Sequence, residues 1–271
     1  MLPVERMLLS PRRGPGVCAV CFNLTEGYPW CYACAHGRNV LDAVGPISYS
    51  VAGESLHRAL FGYKRFPEPL ARLLRAELAT ILSRYLERHE HCVARAAGTH
   101  GFELVATVPS GERHRDREHP LRPIVTAALG ATSIRHERLL CRSAFETGDR
   151  EHDFLKYLAV RPLDGEAVLL VDDTWTTGAN AQSAAAALKA AGAGRVAAVT
   201  IGRHVNRDWH ENDRRLLELE GRFDWSRCAL CAPDGLRAGA DLGNSGRHAL
   251  PPGLTMAGQQ DVGFDRLDRR D

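Results

Sequence analysis

The sequence has almost no net charge: 35 Lys and Arg against 33 Asp and Glu leave a formal +2 over 271 residues. Near-neutrality excludes a bulk polyelectrolyte partner, although local patches of one sign remain compatible with it. Long hydrophobic runs are missing too. No stretch approaches the roughly 18 apolar residues that span a bilayer, and the best run, Ala167 to Val171, has the length of a buried strand. No signal-peptide core forms near the start, because Glu5, Pro11, Arg12 and Arg13 surround Leu8 and Leu9. Nor is the composition that of a disordered chain, at 44% hydrophobic and 25% charged. These absences predict a cytoplasmic, globular protein. Its length suits one sizeable α/β domain with an appendage, or two small domains.

What is present begins with cysteine. Six of the eight cysteines fall into Cys-x-x-Cys pairs: Cys18/Cys21, Cys31/Cys34 and Cys228/Cys231. Disulfides are disfavoured in a cytosolic chain, so the pairs point to metal or redox chemistry. Residues 18–34 are too few to build an apolar core, and Cys18, Cys21, Cys31 and Cys34 have the spacing of a small zinc ribbon. Four thiolates complete a tetrahedral Zn²⁺ and leave no open position, which makes such a site structural. Cys228 and Cys231 supply two ligands and need two more. His204 and His210 are the nearest histidines, and a second site would lie within one chain or across a homodimer. Otherwise this pair, like the isolated Cys92 and Cys141, reads as reduced thiols without catalytic company. Tyr28, Trp30 and Tyr32 are expected to pack the ribbon. With Arg12, Arg13 and Arg38 nearby, the alternative is a surface for single-stranded nucleic acid.

Residues 54–66 read as a short helix closed by Pro67, followed by a longer amphipathic helix of about six turns whose apolar stripe includes Leu70, Leu73, Leu74, Leu78, Ile81, Leu82 and Tyr85. Past residue 100 the pattern alternates strand and helix. Strands are expected at 104–108, 166–171 and 196–201, with helices at 121–129 and 179–191. That alternation predicts a parallel sheet with right-handed crossovers. Residues 141–155 show little periodicity and read as a long mobile loop. Its cations Arg142, Arg150, His152 and Lys156 are either site groups or solvated loop charges.

The most informative segment runs from Val168 to Asn180. An apolar strand delivers Asp172 and Asp173 at its carboxyl tip, where ligands bind in open α/β sheets. Thr174, Thr176, Thr177 and Gly178 then offer hydroxyls and unpaired N–H groups at a helix start, which suits an anion. Adjacent carboxylates would repel that anion, so the aspartates should meet hydroxyls or a bound Mg²⁺. The window resembles the PRPP-binding fingerprint of type I phosphoribosyltransferases. The resemblance implies ribose binding by Asp172 and Asp173, and 5′-phosphate binding by Thr174, Thr176, Thr177 and Gly178. Asn180 stands where that fingerprint usually has Thr.

The paired cysteines, Tyr63-Lys64, Val108-Pro109 and this fingerprint together resemble the ComF family, over about residues 18–203. These are phosphoribosyltransferase-like proteins associated with bacterial DNA uptake. The resemblance implies a pyrophosphate loop at Ser110 and Gly111, with Arg113 and Arg115 as cationic donors. It departs from the family at Arg117-Glu118-His119-Pro120-Leu121, where an Arg-Gly-Phe-Asn-Gln segment is usual.

The expected organisation is a zinc ribbon (1–45), a helical segment (46–98), a phosphoribosyltransferase-like α/β domain (99–233) and a flexible tail (234–271). The expected function is binding of PRPP or a ribose phosphate with Mg²⁺, and transfer of its phosphoribosyl group to a nitrogenous base. The alternative is a non-enzymatic accessory of DNA uptake that binds a ribose phosphate and single-stranded DNA or partner proteins.

Overall fold

The computed structural model of the protein describes residues 4–110, 119–127, 131–145, 152–219 and 223–231. In chain order they form α1 (Tyr32–His36), β1 (Ala43–Val51), α2 (Ser55–Arg65), α3 (Leu70–Ala96), β2 (Leu104–Thr107), α4 (Leu121–Ala127) and α5 (Ala131–Arg135). There follow β3 (Leu140–Arg142), β4 (Tyr157–Ala159), β5 (Ala167–Trp175), α6 (Ala179–Ala190), β6 (Arg195–Val205) and α7 (Asn212–Leu219). The tail expected at 234–271 lies outside the described residues.

Four strands make one all-parallel sheet in the order β1-β6-β5-β2, flanked by helices. The expected α/β class is therefore observed. Val168 to Val171 and Val196 to Val199 have no solvent exposure, as unbroken apolar runs require when both faces are covered. One face sets Leu169, Val171, Val199 and Ile201 against Leu60, Leu78, Ile81 and Leu82 of α2 and α3. The other sets Val168, Leu170, Val196 and Ala198 against Ala181, Ala184, Ala185 and Leu188 of α6. Each fully buried Leu, Ile or Val contributes about 1.5–3 kcal/mol, so these two layers carry the domain.

Three elements differ from the sequence reading. First, β1 crosses the expected boundary between the ribbon (1–45) and the helical segment (46–98), where no strand is expected. It contains Pro46, which cannot donate to the ladder, and such residues are tolerated at the edge position that β1 holds. Leu9 covers that edge, accepting from the Tyr49 N–H at 2.8 Å. Second, α3 is 27 residues long, and its first apolar residues, Leu70 and Leu73, are exposed. The rest of the expected stripe, Leu78, Ile81, Leu82 and Tyr85, is buried, and the buried face continues through His89 and Cys92. Third, the expected mobile loop begins inside β3, which pairs antiparallel with β4. Residues 146–151, including Arg150, lie outside the described residues.

Candidate functional site

All four strands of a parallel sheet end at one edge, and the acidic pair sits there. β5 runs on through Trp175, so Asp172 and Asp173 belong to the strand itself rather than to the loop beyond it. Adjacent strand residues point to opposite faces, so the two carboxylates have different surroundings. Asp173 is buried towards α2. The Tyr63 O–H donates to its Oδ2 at 2.5 Å and Lys64 forms an ion pair with the same oxygen. Burial raises its pKa, but Lys64 and Tyr63 outweigh that and hold Asp173 below the usual range. Burial and the Asp173 charge together push the Tyr63 phenol well up. Asp172, half-buried on the other face, accepts the backbone N–H of Asp173 at 2.9 Å. Burial and the neighbouring Asp173 carboxylate raise its pKa.

The strand leads through Thr176 and Thr177 to Gly178, the residue before α6. Gly178 has φ +84°, and a Cβ there would fall 2.1 Å from the Trp175 ring. Only glycine combines that left-handed backbone with that close approach. Thr176 is exposed, Thr174 and Thr177 are half-buried, and Thr177 Oγ1 accepts the Ala179 N–H at 3.3 Å. On either side of this turn, Trp175 Nε1 and Asn180 Oδ1 are buried without a hydrogen-bond partner among the described residues. Gly178→Ala is expected to destabilise the protein by about 2 kcal/mol or more, because strain adds to a clash with a packed ring. Thermal melts of the two proteins would show this, and coincident curves would refute it.

Beside β5, β2 hands its chain to the second expected loop. The Val108 N–H donates to Val171 O at 3.1 Å, so Pro109 and Ser110 leave the sheet close to Asp172. The Tyr157 O–H fixes this exit by donating to Pro109 O at 3.2 Å. Gly111, Arg113 and Arg115 lie outside the described residues. His119 is buried, and its Nδ1 accepts the Leu121 N–H at 3.3 Å. Among the loop cations, Lys156 is fully buried rather than solvated. Arg142 lies over the Tyr157 ring at 5.8 Å, and His152 meets Phe154 edge-on at 4.7 Å.

The four N-terminal cysteines converge as their spacing predicts. Cys18, Cys21, Cys31 and Cys34 are buried, with all four sulfurs within 4.8 Å of one another. They form no disulfide, and Cys21 Sγ lies 3.6 Å from Cys31 Sγ. A tetrahedral zinc with bonds of about 2.3 Å sets its sulfurs about 3.8 Å apart, so the group is consistent with structural zinc. The ribbon is tied firmly to the sheet domain. Gln182 Oε1 of α6 accepts the N–H groups of Val40 and Leu41 at 2.7 and 3.0 Å, and the Tyr49 O–H donates to Phe22 O at 2.8 Å. Arg203 of β6 is buried between the two parts. It donates to Cys21 O at 3.1 Å and Cys21 Sγ at 3.6 Å, and to Trp175 O at 3.0 Å. Burial opposes its charge, and the Cys21 and Cys31 thiolates more than offset that.

The aromatic residues do not pack the ribbon as expected. Tyr28, Trp30 and Tyr32 are each about half exposed, and Tyr32 stacks on His36 at 4.1 Å. The four cysteines are buried, while Phe22 and Leu24 pack into clusters shared with the sheet domain, so the rings are left outside.

A second buried group of four was not foreseen as a set. Cys228 and Cys231 meet His89 and Cys92 of α3, again with all ligand atoms within 4.8 Å. The nearest histidines in sequence are elsewhere: His204 lies against His57 at 5.4 Å, and His210 contacts Glu26 at 3.0 Å. Cys92 is thus not the isolated thiol it appears in the sequence. The available signal was His-x-x-Cys on a buried helix face, which places both side chains on one side of α3.

No protein-family model matches the chain, and no curated protein matches it in sequence.

Proposed function

We propose that the carboxyl edge of the sheet binds PRPP or another ribose 5-phosphate, and that the protein transfers the phosphoribosyl group to a nitrogenous base. One observation carries the reading. Asp172, the Thr176–Gly178 turn and the loop at Ser110 leave adjacent parallel strands at one edge. The 5′-phosphate would accept N–H groups at the start of α6, with Thr174 and Thr177 as hydroxyl donors. Asp172 would accept the ribose hydroxyls, while Asp173, engaged by Tyr63 and Lys64, holds the strand end in place. In the transfer the C1′–O bond to pyrophosphate breaks, a C1′–N bond to the base forms, and the base gives up a proton to solvent. Positive charge develops at C1′. Mg²⁺, with Arg113 and Arg115, would neutralise the departing pyrophosphate.

A second reading has its own observation. Tyr28, Trp30 and Tyr32 are exposed, as are Arg12 and Arg38 in the same N-terminal segment, and exposed aromatic and cationic side chains are what single-stranded DNA favours. In it the protein is a non-enzymatic, ComF-like accessory of DNA uptake that holds a ribose phosphate as ligand. Both readings are tested by adding PRPP and Mg²⁺ with a panel of bases. Thermal stabilisation with pyrophosphate release supports the transferase. Stabilisation without pyrophosphate, together with quenching of Trp fluorescence by an oligodeoxynucleotide, supports the accessory. No stabilisation by PRPP removes both.

A further inference from the structure

The structure assigns a second zinc site, of Cys₃His type, to His89, Cys92, Cys228 and Cys231. The four come from two distant parts of the chain. His89 and Cys92 are three apart on the buried face of α3, and Cys92 and Cys231 are 139 positions apart in sequence. Their separations match a tetrahedral metal. Cys231 Sγ lies 3.5 Å from Cys228 Sγ and 3.8 Å from Cys92 Sγ, and His89 Nδ1 lies 3.6 and 3.9 Å from the Cys231 and Cys92 sulfurs. Sulfurs that share a zinc are about 3.8 Å apart, whereas a disulfide would hold them at about 2.05 Å.

The surroundings are those of a metal site rather than of packed thiols. His89 Nε2 lies 2.9 Å from Trp225 O, a partner that can only accept. The Nε2–H is therefore donated there, and the Nδ1 lone pair faces the three sulfurs. Ligating histidines are oriented in this way by a carbonyl on the other ring nitrogen. The Cys228-Ala-Leu-Cys231 turn aims backbone N–H groups at sulfur. Cys228 N–H points to Cys231 Sγ at 3.2 Å, and Leu230 N–H points to Cys228 Sγ at 3.3 Å. N–H donors of this kind stabilise thiolates more than neutral thiols. Three thiolates and one neutral imidazole carry a charge of −3, which Zn²⁺ reduces to −1. Arg13 and Arg95 are nearby cations, and Arg13 donates to Ala229 O at 3.2 Å within the same turn.

Zinc here would add fixed geometry to what apolar burial already supplies. Residues 223–231 contain no helix or strand, yet Phe223, Trp225, Ala229 and Leu230 are buried in the core formed with α3. The remaining ties are individually modest. The Trp225 indole N–H donates to Glu5 Oε1 at 2.9 Å, and Arg84 lies 4.7 Å above the Trp225 ring. A metal closing a long loop would tie such a segment to α3, with two bonds to Cys228 and Cys231 and two to His89 and Cys92.

The test is metal content of the full chain, purified without chelator. Two zinc ions per chain are expected for the wild type, one for Cys228→Ser/Cys231→Ser, and two for His89→Cys, which exchanges Cys₃His for Cys₄. Co²⁺ substitution gives an independent signature. The wild type should show the summed visible spectrum of an S₃N and an S₄ centre, and His89→Cys should move the S₃N bands to the S₄ position. One zinc per chain in the wild type, with Cys92, Cys228 and Cys231 alkylated as fast as in denaturant, would overturn the assignment. So would an unchanged zinc content in the double variant. PRPP binding does not enter the readout, so the outcome is separate from the proposed function.

Discussion

Cys18→Ser is expected to lower bound zinc by one ion per chain and to reduce the melting temperature by about 10 °C or more. Apparent binding free energies for structural zinc are on the order of 10 kcal/mol. For a domain of this size each kcal/mol lost lowers the midpoint by roughly 2–4 °C. The effect should reach beyond the ribbon because Arg203 is buried between Cys21 and Trp175. Without the metal–thiolate charge, its guanidinium stays buried with less compensation, and the Trp175 carbonyl it holds sits next to the Thr176–Gly178 turn. Ribose-phosphate binding should therefore weaken with zinc loss, although no ribbon cysteine touches that turn. Cys141→Ser is the control, since Cys141 belongs to neither four-residue group. Metal analysis, melting curves and PRPP titration on the two variants decide it. A zinc-depleted protein with a wild-type melting temperature and wild-type PRPP affinity would refute the coupling.

Asp172→Asn is expected to move stability and binding in opposite directions. Hydrogen bonds from ribose hydroxyls to a charged carboxylate contribute about 1.5–3 kcal/mol each. Losing the charge should weaken PRPP binding by about a hundredfold. The empty protein should meanwhile melt a few degrees higher, and the sign follows from linkage. Burial and Asp173 push the Asp172 pKa up to about 7 from its ordinary 3.8. The folded state thus holds a proton that the unfolded state has lost, and stability falls as pH rises through that window. Asn has no such proton to lose, so its advantage should be full above pH 7 and vanish below pH 4. The same shift predicts that wild-type affinity for PRPP, which needs the ionised carboxylate, is about tenfold weaker at pH 6 than at pH 8. Calorimetry across that range checks both slopes. A flat affinity profile would remove Asp172 from the ribose site.

Much of this was legible in the sequence, and the reasons for the rest are physical. The Cys₄ group could be read because its ligands are local and their spacing fixes which metal geometry they can make. The central strands could be read because burial on both faces leaves an unbroken apolar run. β1 could not, because Gly45, Pro46, Ser48 and Ser50 break the apolar pattern in a strand held by its pairing to β6. The partners of Cys228 and Cys231 escaped for a different reason. Spacing rules look nearby, where His204 and His210 stand, while the fold supplies His89 and Cys92 from a helix that packs against them. Within the site, the pair Asp172-Asp173 was visible, but its unequal surroundings depend on Tyr63 and Lys64 arriving from α2.

That inequality has a consequence for how the two positions can change over evolutionary time. Asp173 is committed to its contacts with α2, so a substitution there answers first to folding and would be compensated at Tyr63 or Lys64. Among the described residues no ion pair to the Asp172 side chain matches the one Lys64 makes with Asp173, and burial with the Asp173 charge gives Asp172 an ionisation penalty that Lys64 only partly offsets. On the proposed function Asp172 answers to the ligand at the edge of the sheet, and a lineage that lost that ligand would gain stability by losing this aspartate first.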